Sequence, residues 1–210
     1  MSKWVRALLA NSFKYNWPVY LVVVAVFAGG TVTGFFGVER MQDEQAYELG
    51  RYLDRFIQQA GMIQVDTARM TRDVFVKDIT LIASLYLLGL TIIGVPVMLG
   101  IVFTRGFVLG FAIGFLTKGK GLPGVVLACA AVLPQNIFFI PALLFGSAAS
   151  LSFALILVKR FFNSKTAVWP SFVLYSCFML MVAVFSCTAV LVEVYVTPAL
   201  VKTAANTVFN

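Results

Sequence analysis

The stretch Pro18–Val38, PVYLVVVAVFAGGTVTGFFGV, decides the fold class of this chain because its 21 residues include no charge. As an α-helix it would span about 31 Å, which matches the hydrocarbon thickness of a bilayer. Trp17 and Tyr20 lie at its edge, where aromatic side chains favour the membrane–water interface. The apolar residues continue well past Ala28, the small residue that could precede a signal-peptide cleavage site. We therefore predict a retained transmembrane helix.

The composition of the whole chain also indicates a membrane protein. Of the 210 residues, 60% are hydrophobic and 12% are charged, whereas soluble domains are about half apolar and about a quarter charged. Such a chain cannot cover a soluble surface, and its apolar content excludes a disordered protein. It has no histidine, which removes the commonest general base and the commonest metal ligand.

Four further uncharged stretches follow, separated by charged residues. They are Ile79–Thr104, which contains Pro96, then residues 106–117, Leu122–Val158 and Pro170–Val192. The second is too short to cross a bilayer untilted, and the third is too long for one straight helix. The sequence predicts an all-α, polytopic α-helical integral membrane protein with about five transmembrane helices and one broken or hairpin segment near 134–141.

Two threadings of the central region satisfy this pattern. In the first, residues 106–117 lie at the cytoplasmic surface and 122–158 forms two short spans. In the second, 106–117 is a short third span and 122–158 is one helix broken inside the membrane. The first agrees better with the charge rule because it places Lys118 and Lys120 inside. The second explains Pro134 better.

Basic residues orient the spans, since they favour the cytoplasmic side. The net charge is +3 in 1–17, −2 in 39–78 and +3 in 159–165. We predict four parts, which are a cytoplasmic basic N-terminus (1–17), a transmembrane helix (18–38), an extracytoplasmic amphipathic helical segment (39–76) and a helical membrane domain (77–210). This makes the chain a multi-pass protein of the cell membrane, with a cytoplasmic N-terminus and an extracytoplasmic C-terminus.

The outer segment carries one apolar stripe at helical spacing. Its members, which recur at intervals of three and four residues, are Leu49, Tyr52, Leu53, Phe56 and Ile57. Such a stripe is typical of an amphipathic helix. It could cover the membrane surface or the transmembrane helices of the same chain, or it could dock an extracytoplasmic partner.

Two glycine ladders have the four-residue spacing that lets transmembrane helices approach closely. One is Gly30 with Gly34, and the other is Gly106, Gly110 and Gly114. They predict helix packing, either within one chain or between the two copies of a homodimer.

A group of polar and helix-breaking residues interrupts the apolar runs in the second half of the chain. Proline lacks a donor, and backbone in lipid must be satisfied locally or sheltered. Glu193 is the only acid after Asp78; it could lie at the outer interface, pair with Lys202 or bond an amide. The residues of this predicted intramembrane polar site and helix break are Pro134, Gln135, Asn136, Pro141, Glu193, Tyr195 and Pro198.

Enzyme motifs are missing from the sequence. It has no zinc-protease motif, no nucleophile elbow, no phosphate-binding loop and no Cys/His cluster. Glu193 has no second acid near it in sequence for paired carboxylate catalysis. We predict no catalytic residues, no cofactor and no metal site. Nucleic-acid binding does not account for the net charge of +7, because the basic residues flank the spans.

The features together resemble the stage II sporulation protein M family. They are a basic N-terminus before one span, a polar outer segment, GFVLGFAIGF at 106–115, LPQNIFFIPALLFGSAAS at 133–150, and VEVYVTP at 192–198. The Gln-Asn pair at 135–136 resembles the narrower sporulation branch of the family.

The resemblance implies a non-catalytic membrane scaffold of endospore-forming bacteria. Such a scaffold would recruit and localise two peptidoglycan hydrolases, stage II sporulation proteins D and P, for septal wall degradation and forespore engulfment. Its partners would be the lipid bilayer and these hydrolases. The alternatives are a transporter or transport-system subunit with a polar site at the broken helix, and an intramembrane enzyme with Glu193 as acid.

Overall fold

The computed structural model describes residues 3–41, 47–48, 50–51, 67–162 and 168–197, with side chains for 17–41, 47–48, 50–51, 71–117, 132, 134, 136–162 and 168–197. Its helices are α1 (Lys3–Gly37), α2 (Thr67–Gly89), α3 (Gly94–Phe162) and α4 (Trp169–Leu191). A 3-10 turn at Val38–Arg40 follows α1, and a π-helical turn at Val192–Val196 follows α4.

The described residues confirm a polytopic α-helical membrane protein. Four helical stretches are long and apolar enough to cross a bilayer, namely Trp17–Arg40, Gly94–Thr117, Asn136–Phe162 and Trp169–Val196. The sequence predicts about five. The difference lies in α2, whose first half carries several charged side chains and which ends at Gly89. The uncharged stretch predicted as one span is divided at residues 90–93, where the chain turns between α2 and α3.

Helix α3 folds back on itself. The Arg105 guanidinium carbon lies 5.5 Å from the centre of the Phe139 ring, although a straight helix would hold these residues about 50 Å apart. We call Gly94–Thr117 the first arm of α3 and Asn136–Phe162 the second arm. The order of segments is that of the second threading. The span that contains residues 106–117 is not short, because it begins at Gly94 and not after Arg105.

The predicted helix break at 134–141 is not found where the sequence placed it. Helical backbone runs through Pro134 and Pro141. The Asn136 side chain donates from Nδ2 to the Val132 carbonyl at 2.6 Å.

Successive helical segments alternate in direction. The ring centres of Tyr20 and Phe145 lie 6.2 Å apart, and Phe27 shares a cavity with Asn136, so α1 is antiparallel to the second arm. Gly89 at the end of α2 meets Ser150 of the second arm. The buried core takes side chains from α1, α2, both arms of α3, and α4; its fully buried members include Val23, Leu85, Met98, Val102 and Leu143.

The C-terminus of α2 is capped by a tyrosine of another helix. The last carbonyls of a helix have no intrahelical partner. The Tyr175 hydroxyl of α4 donates to the Tyr86 carbonyl at 3.0 Å and is 2.9 Å from the Ser150 hydroxyl. The Tyr175 ring is stacked between those of Tyr86 and Phe153, with centroid distances of 5.2 and 4.7 Å. One side chain therefore ties α2, the second arm and α4 together.

We expect Tyr175→Phe to lower the free energy of unfolding by about 1–2 kcal/mol. The variant keeps the ring stacking but leaves the Tyr86 carbonyl buried without its donor. Thermal unfolding in detergent micelles, followed by circular dichroism, measures the change. Tyr195→Phe is the matched control because Tyr195 is 62% exposed, and an equal loss in both variants would contradict the capping role.

Candidate intramembrane polar site

The two glycine ladders pack against each other within the chain. An added Cβ on Gly30 or Gly34 would overlap the backbone carbonyls of Phe103 and Phe107 in the first arm. Conversely, an added Cβ on Gly106 or Gly110 would overlap backbone carbonyls of α1, those of Phe27 and Thr31. Gly114 continues this contact, with a hypothetical Cβ 2.9 Å from the Phe35 carbonyl oxygen. The close approach of α1 and the first arm forms one wall of the site.

A cavity of about 180 Å³ lies between α1, α2, the two arms of α3 and the π-helical turn. Its polar lining residues are Lys77 and Asp78 from α2, Arg105 from the first arm, Asn136 from the second arm, and Glu193 from the π-helical turn. The other lining side chains are apolar, among them Phe27 and Phe139. Four helical segments far apart in sequence thus contribute polar groups to one cavity.

The cavity lies near the middle of the membrane when Trp17 marks the interface. Phe27 lines it and is ten residues from Trp17 along α1, about 15 Å as a helix. Arg105 is central in the first arm, which is one of the candidate spans. Half of a hydrocarbon layer is also about 15 Å. Glu193 lines the same cavity.

The charged groups of the cavity interact with one another. Asp78 is only 5% exposed, and its carboxylate feels the positive charges of Arg105 and Lys77. Arg105 feels the negative charges of Asp78 and Glu193. Its guanidinium also faces the Phe139 ring, a cation–π contact that holds the cation toward the second arm. Charged side chains inside a membrane are costly, and by default they mark functional sites.

The π-helical turn at Val192–Val196 presents Glu193 to the cavity. Its wider hydrogen bond runs from the Thr197 N–H to the Val192 carbonyl, which the Thr197 hydroxyl also approaches at 3.3 Å. Such turns are rare and occur frequently at functional sites. The turn follows directly on α4 and places Glu193 beside charges from α2 and the first arm.

The structure brings together some of the predicted polar residues and separates others. Asn136 and Glu193 line the same cavity. Pro134 and Pro141 are half-buried in helical backbone, and Tyr195 is exposed. The Gln135 side chain and all of Pro198 lie outside the described residues, as does Lys202.

Three residues of the site were missed by the sequence analysis, which treated Lys77, Asp78 and Arg105 as ends of spans. That placement of Arg105 is wrong, because it lies inside the span Gly94–Thr117. The signal in the sequence was a single charged residue between two apolar runs. Such a residue can lie inside a transmembrane span as well as at its end. Glu193 likewise has a second acid beside it in space, Asp78, although none is near it in sequence.

The predicted docking stripe of the outer segment falls outside the described residues. Leu49, Tyr52, Leu53, Phe56 and Ile57 have no described position. Nearby, Tyr47 is 67% exposed and the Arg51 guanidinium carbon lies 5.9 Å from its ring centre. Within the described residues no group of three or more His, Cys, Asp or Glu side chains could hold a metal ion.

Comparison with known proteins identifies the family. The family model of stage II sporulation protein M matches residues 23–198, which include all the polar residues of the cavity. The chain belongs to the stage II sporulation protein M family. No curated protein matches it significantly, and no solved structure does either. Membership in the family makes this a sporulation-related membrane protein.

Proposed function

We propose that this chain is a non-catalytic membrane scaffold that recruits and localises peptidoglycan hydrolases of the stage II sporulation protein D and P type. In this role it serves septal wall degradation and forespore engulfment. The observation that carries the proposal is the family match over residues 23–198, which covers the outer segment together with the membrane helices. The scaffold acts by position, and the hydrolases supply the chemistry.

The sequence supports this proposal in two ways. The chain lacks histidine and the common hydrolase motifs. Its 39–76 segment is too short to form an enzyme domain of its own, but it is long enough for an amphipathic helix that a soluble or anchored partner could bind. The apolar stripe that begins at Leu49 is the docking surface that we propose for the hydrolase.

The proposal places the N-terminus in the cytoplasm and the C-terminus outside. The positive-inside bias supports this orientation, because residues 1–17 and 159–165 each carry +3. The alternating direction of the helical segments supports opposite locations for the two ends. The 39–76 segment then lies on the side of the wall, where a hydrolase works.

Replacement of two stripe residues, Leu53→Asp with Phe56→Asp, should abolish co-purification of the hydrolase with this chain. Charged side chains on the apolar face would remove the buried contact on which such helix docking depends. Affinity purification of the tagged chain from sporulating cells, with the recovered hydrolases quantified by mass spectrometry, measures the effect. We expect a loss of at least tenfold.

The matched control is Arg51→Asp with Gln58→Asp, which adds acidic side chains to the opposite face of the same predicted helix. Recovery should stay within about twofold of the unaltered chain, because these substitutions leave the apolar stripe intact. For comparison, a tenfold loss corresponds to about 1.4 kcal/mol of binding free energy. Undiminished recovery from the stripe variant would refute docking by this face. Failure of the unaltered chain to recover any wall hydrolase would refute the scaffold proposal itself.

A second candidate function is a transporter or a membrane subunit of a transport system. The polar cavity near mid-depth favours it, because transporters place substrate sites there between helical segments. Saturable flux of a small solute into vesicles that contain the purified chain would support this alternative.

A further inference from the structure

The charged side chains that line the cavity balance one another. The described lining includes two cations, Lys77 and Arg105, and two carboxylates, Asp78 and Glu193. Both cations act on each of the two carboxylates, so neither sign of charge is in excess. A net charge inside a membrane is costly. A molecule that enters this cavity therefore keeps the site neutral only if it carries no net charge itself.

The Asp78 carboxylate faces the cavity without a direct partner among the described residues. Asp78 is 5% exposed, and no hydrogen bond or ion pair from the described part of the chain reaches it. Arg105 and Lys77 act on it through their electric field. Buried polar groups in folded proteins are hydrogen-bonded, so this carboxylate requires a donor that lies in the cavity.

The Arg105 guanidinium offers the opposite charge to the same cavity. Its contact with the Phe139 ring orients the group by a cation–π interaction, which leaves its N–H donors for other partners. A planar guanidinium can donate two parallel hydrogen bonds to one carboxylate. Arg105 and Asp78 attract each other, but no direct ion pair joins them within the described residues. A molecule that carries both charges can therefore bridge them.

The rest of the lining fits a small molecule that is partly apolar. The volume of about 180 Å³ exceeds the space that a single water needs and is below that of pockets for drug-sized ligands, which start at about 300 Å³. The Asn136 Nδ2 group is engaged by the Val132 carbonyl at 2.6 Å, which leaves its Oδ1 atom as an acceptor. The apolar walls include Phe27, Leu109 and Ile140.

We propose that this cavity binds one small zwitterion of the α-amino acid class. The ligand ammonium donates to Asp78 and Asn136, and the ligand carboxylate accepts from Arg105. The apolar walls contact an uncharged side chain of the ligand, while Lys77 and Glu193 balance each other. The bound zwitterion links α2 to both arms of α3. This inference does not rest on the scaffold function, and it holds whether the ligand is transported or only bound.

Thermal unfolding of the purified full chain in detergent micelles tests the site. The probes are glycine, L-alanine, L-valine and L-leucine, each titrated at constant pH and ionic strength. A ligand that binds only the folded chain raises the midpoint by mass action. For the best of these probes, at about one hundred times its Kd, we expect a rise of about 8 °C.

Two half-ligands distinguish a zwitterion site from a site for a single charge. They are the amine and the carboxylic acid that correspond to the best amino acid without its carboxylate or without its ammonium; for alanine they are ethylamine and propionate. Each brings a net charge into the cavity and leaves Asp78 or Arg105 without its partner, so each should bind weaker by about tenfold or more. The proposal is overturned if none of the four amino acids raises the midpoint, or if either half-ligand acts as strongly as the amino acid.

A double variant, Asp78→Asn with Arg105→Met, removes both groups that hold the ligand. It keeps the cavity neutral because Lys77 and Glu193 remain, so we expect it to fold and to lose the response to amino acids. Circular dichroism and monodisperse elution check the fold. A full response in the folded double variant would also overturn the proposal. The half-ligand comparison uses the unaltered chain, so it decides the question if the double variant does not fold.

The matched control is Arg72→Met with Asp73→Asn. It makes the same two changes at neighbouring exposed positions of α2, outside the cavity. The control should keep the full response to the best amino acid. Loss of the response in the control as well as in the cavity variant would show that binding does not depend on the cavity, and this outcome would contradict the proposed site.

Discussion

Gly30→Ala is expected to destabilise the chain by about 3 kcal/mol, whereas Gly29→Ala, one residue earlier, should have almost no effect. A Cβ on Gly30 would overlap the Phe103 carbonyl of the first arm, while a Cβ on Gly29 would meet no atom within 4 Å. The overlap is with backbone, so relief requires separation of two helices and not a rotamer change. Thermal unfolding should show a midpoint lower by roughly 10 °C for Gly30→Ala.

The same experiment can be run from the other helix. In the first arm, Gly110→Ala should resemble Gly30→Ala because its Cβ would overlap the Thr31 carbonyl, and Gly100→Ala is the matched control with nothing within 4 Å. Alanine is the better helix former, so both control variants should be neutral or slightly stabilised. Equal midpoints for Gly29→Ala and Gly30→Ala would contradict the packing of α1 on the first arm.

Arg105→Met should lower the free energy of unfolding by about 3 kcal/mol, because it leaves Asp78 and Glu193 as neighbouring buried carboxylates without their buried cation. Methionine has a similar length and fills much of the same volume, so the main change is in charge. The measurement is again the midpoint in detergent, at a pH near 7. Arg72→Met is the matched control because Arg72 is exposed on α2.

A double variant separates charge from packing. If the loss arises from an unpaired carboxylate, Arg105→Met with Asp78→Asn should recover at least half of it, since one acid then remains without its buried partner and not two. A packing defect would not be rescued by an isosteric change at residue 78. Full stability of Arg105→Met alone would show that this guanidinium does not neutralise the cavity.

Sequence reasoning succeeded where one stretch carried its own signal. The apolar run Pro18–Val38 is long enough to form a transmembrane helix whatever its neighbours are, and the structure places Trp17–Arg40 among the candidate spans. The motif at Leu133–Ser150 carried the family resemblance in the same local way. The family match over residues 23–198 agrees with it.

Sequence-based prediction failed at residues whose structural role depends on the atoms that other segments place around them. Pro134 predicts a break from its missing donor, yet the backbone there is helical. Residues 90–93 turn without a proline, and there the Thr91 hydroxyl accepts the Gly94 N–H at 3.1 Å. Hydrogen bonds of this kind depend on atomic geometry that a hydropathy pattern does not contain.

What the sequence by itself determined is the membrane class, the helical content and the glycine spacing, because each follows from local composition and period. Only the tertiary structure decided that Gly30 and Gly34 meet the first arm, and that Asp78, Arg105 and Glu193 share one cavity. A charge at the end of a span is solvated by water, whereas the same charge within a span needs opposite charges from other helices. Which of these holds is fixed by long-range packing, and that is why Arg105 looked like a boundary in the sequence.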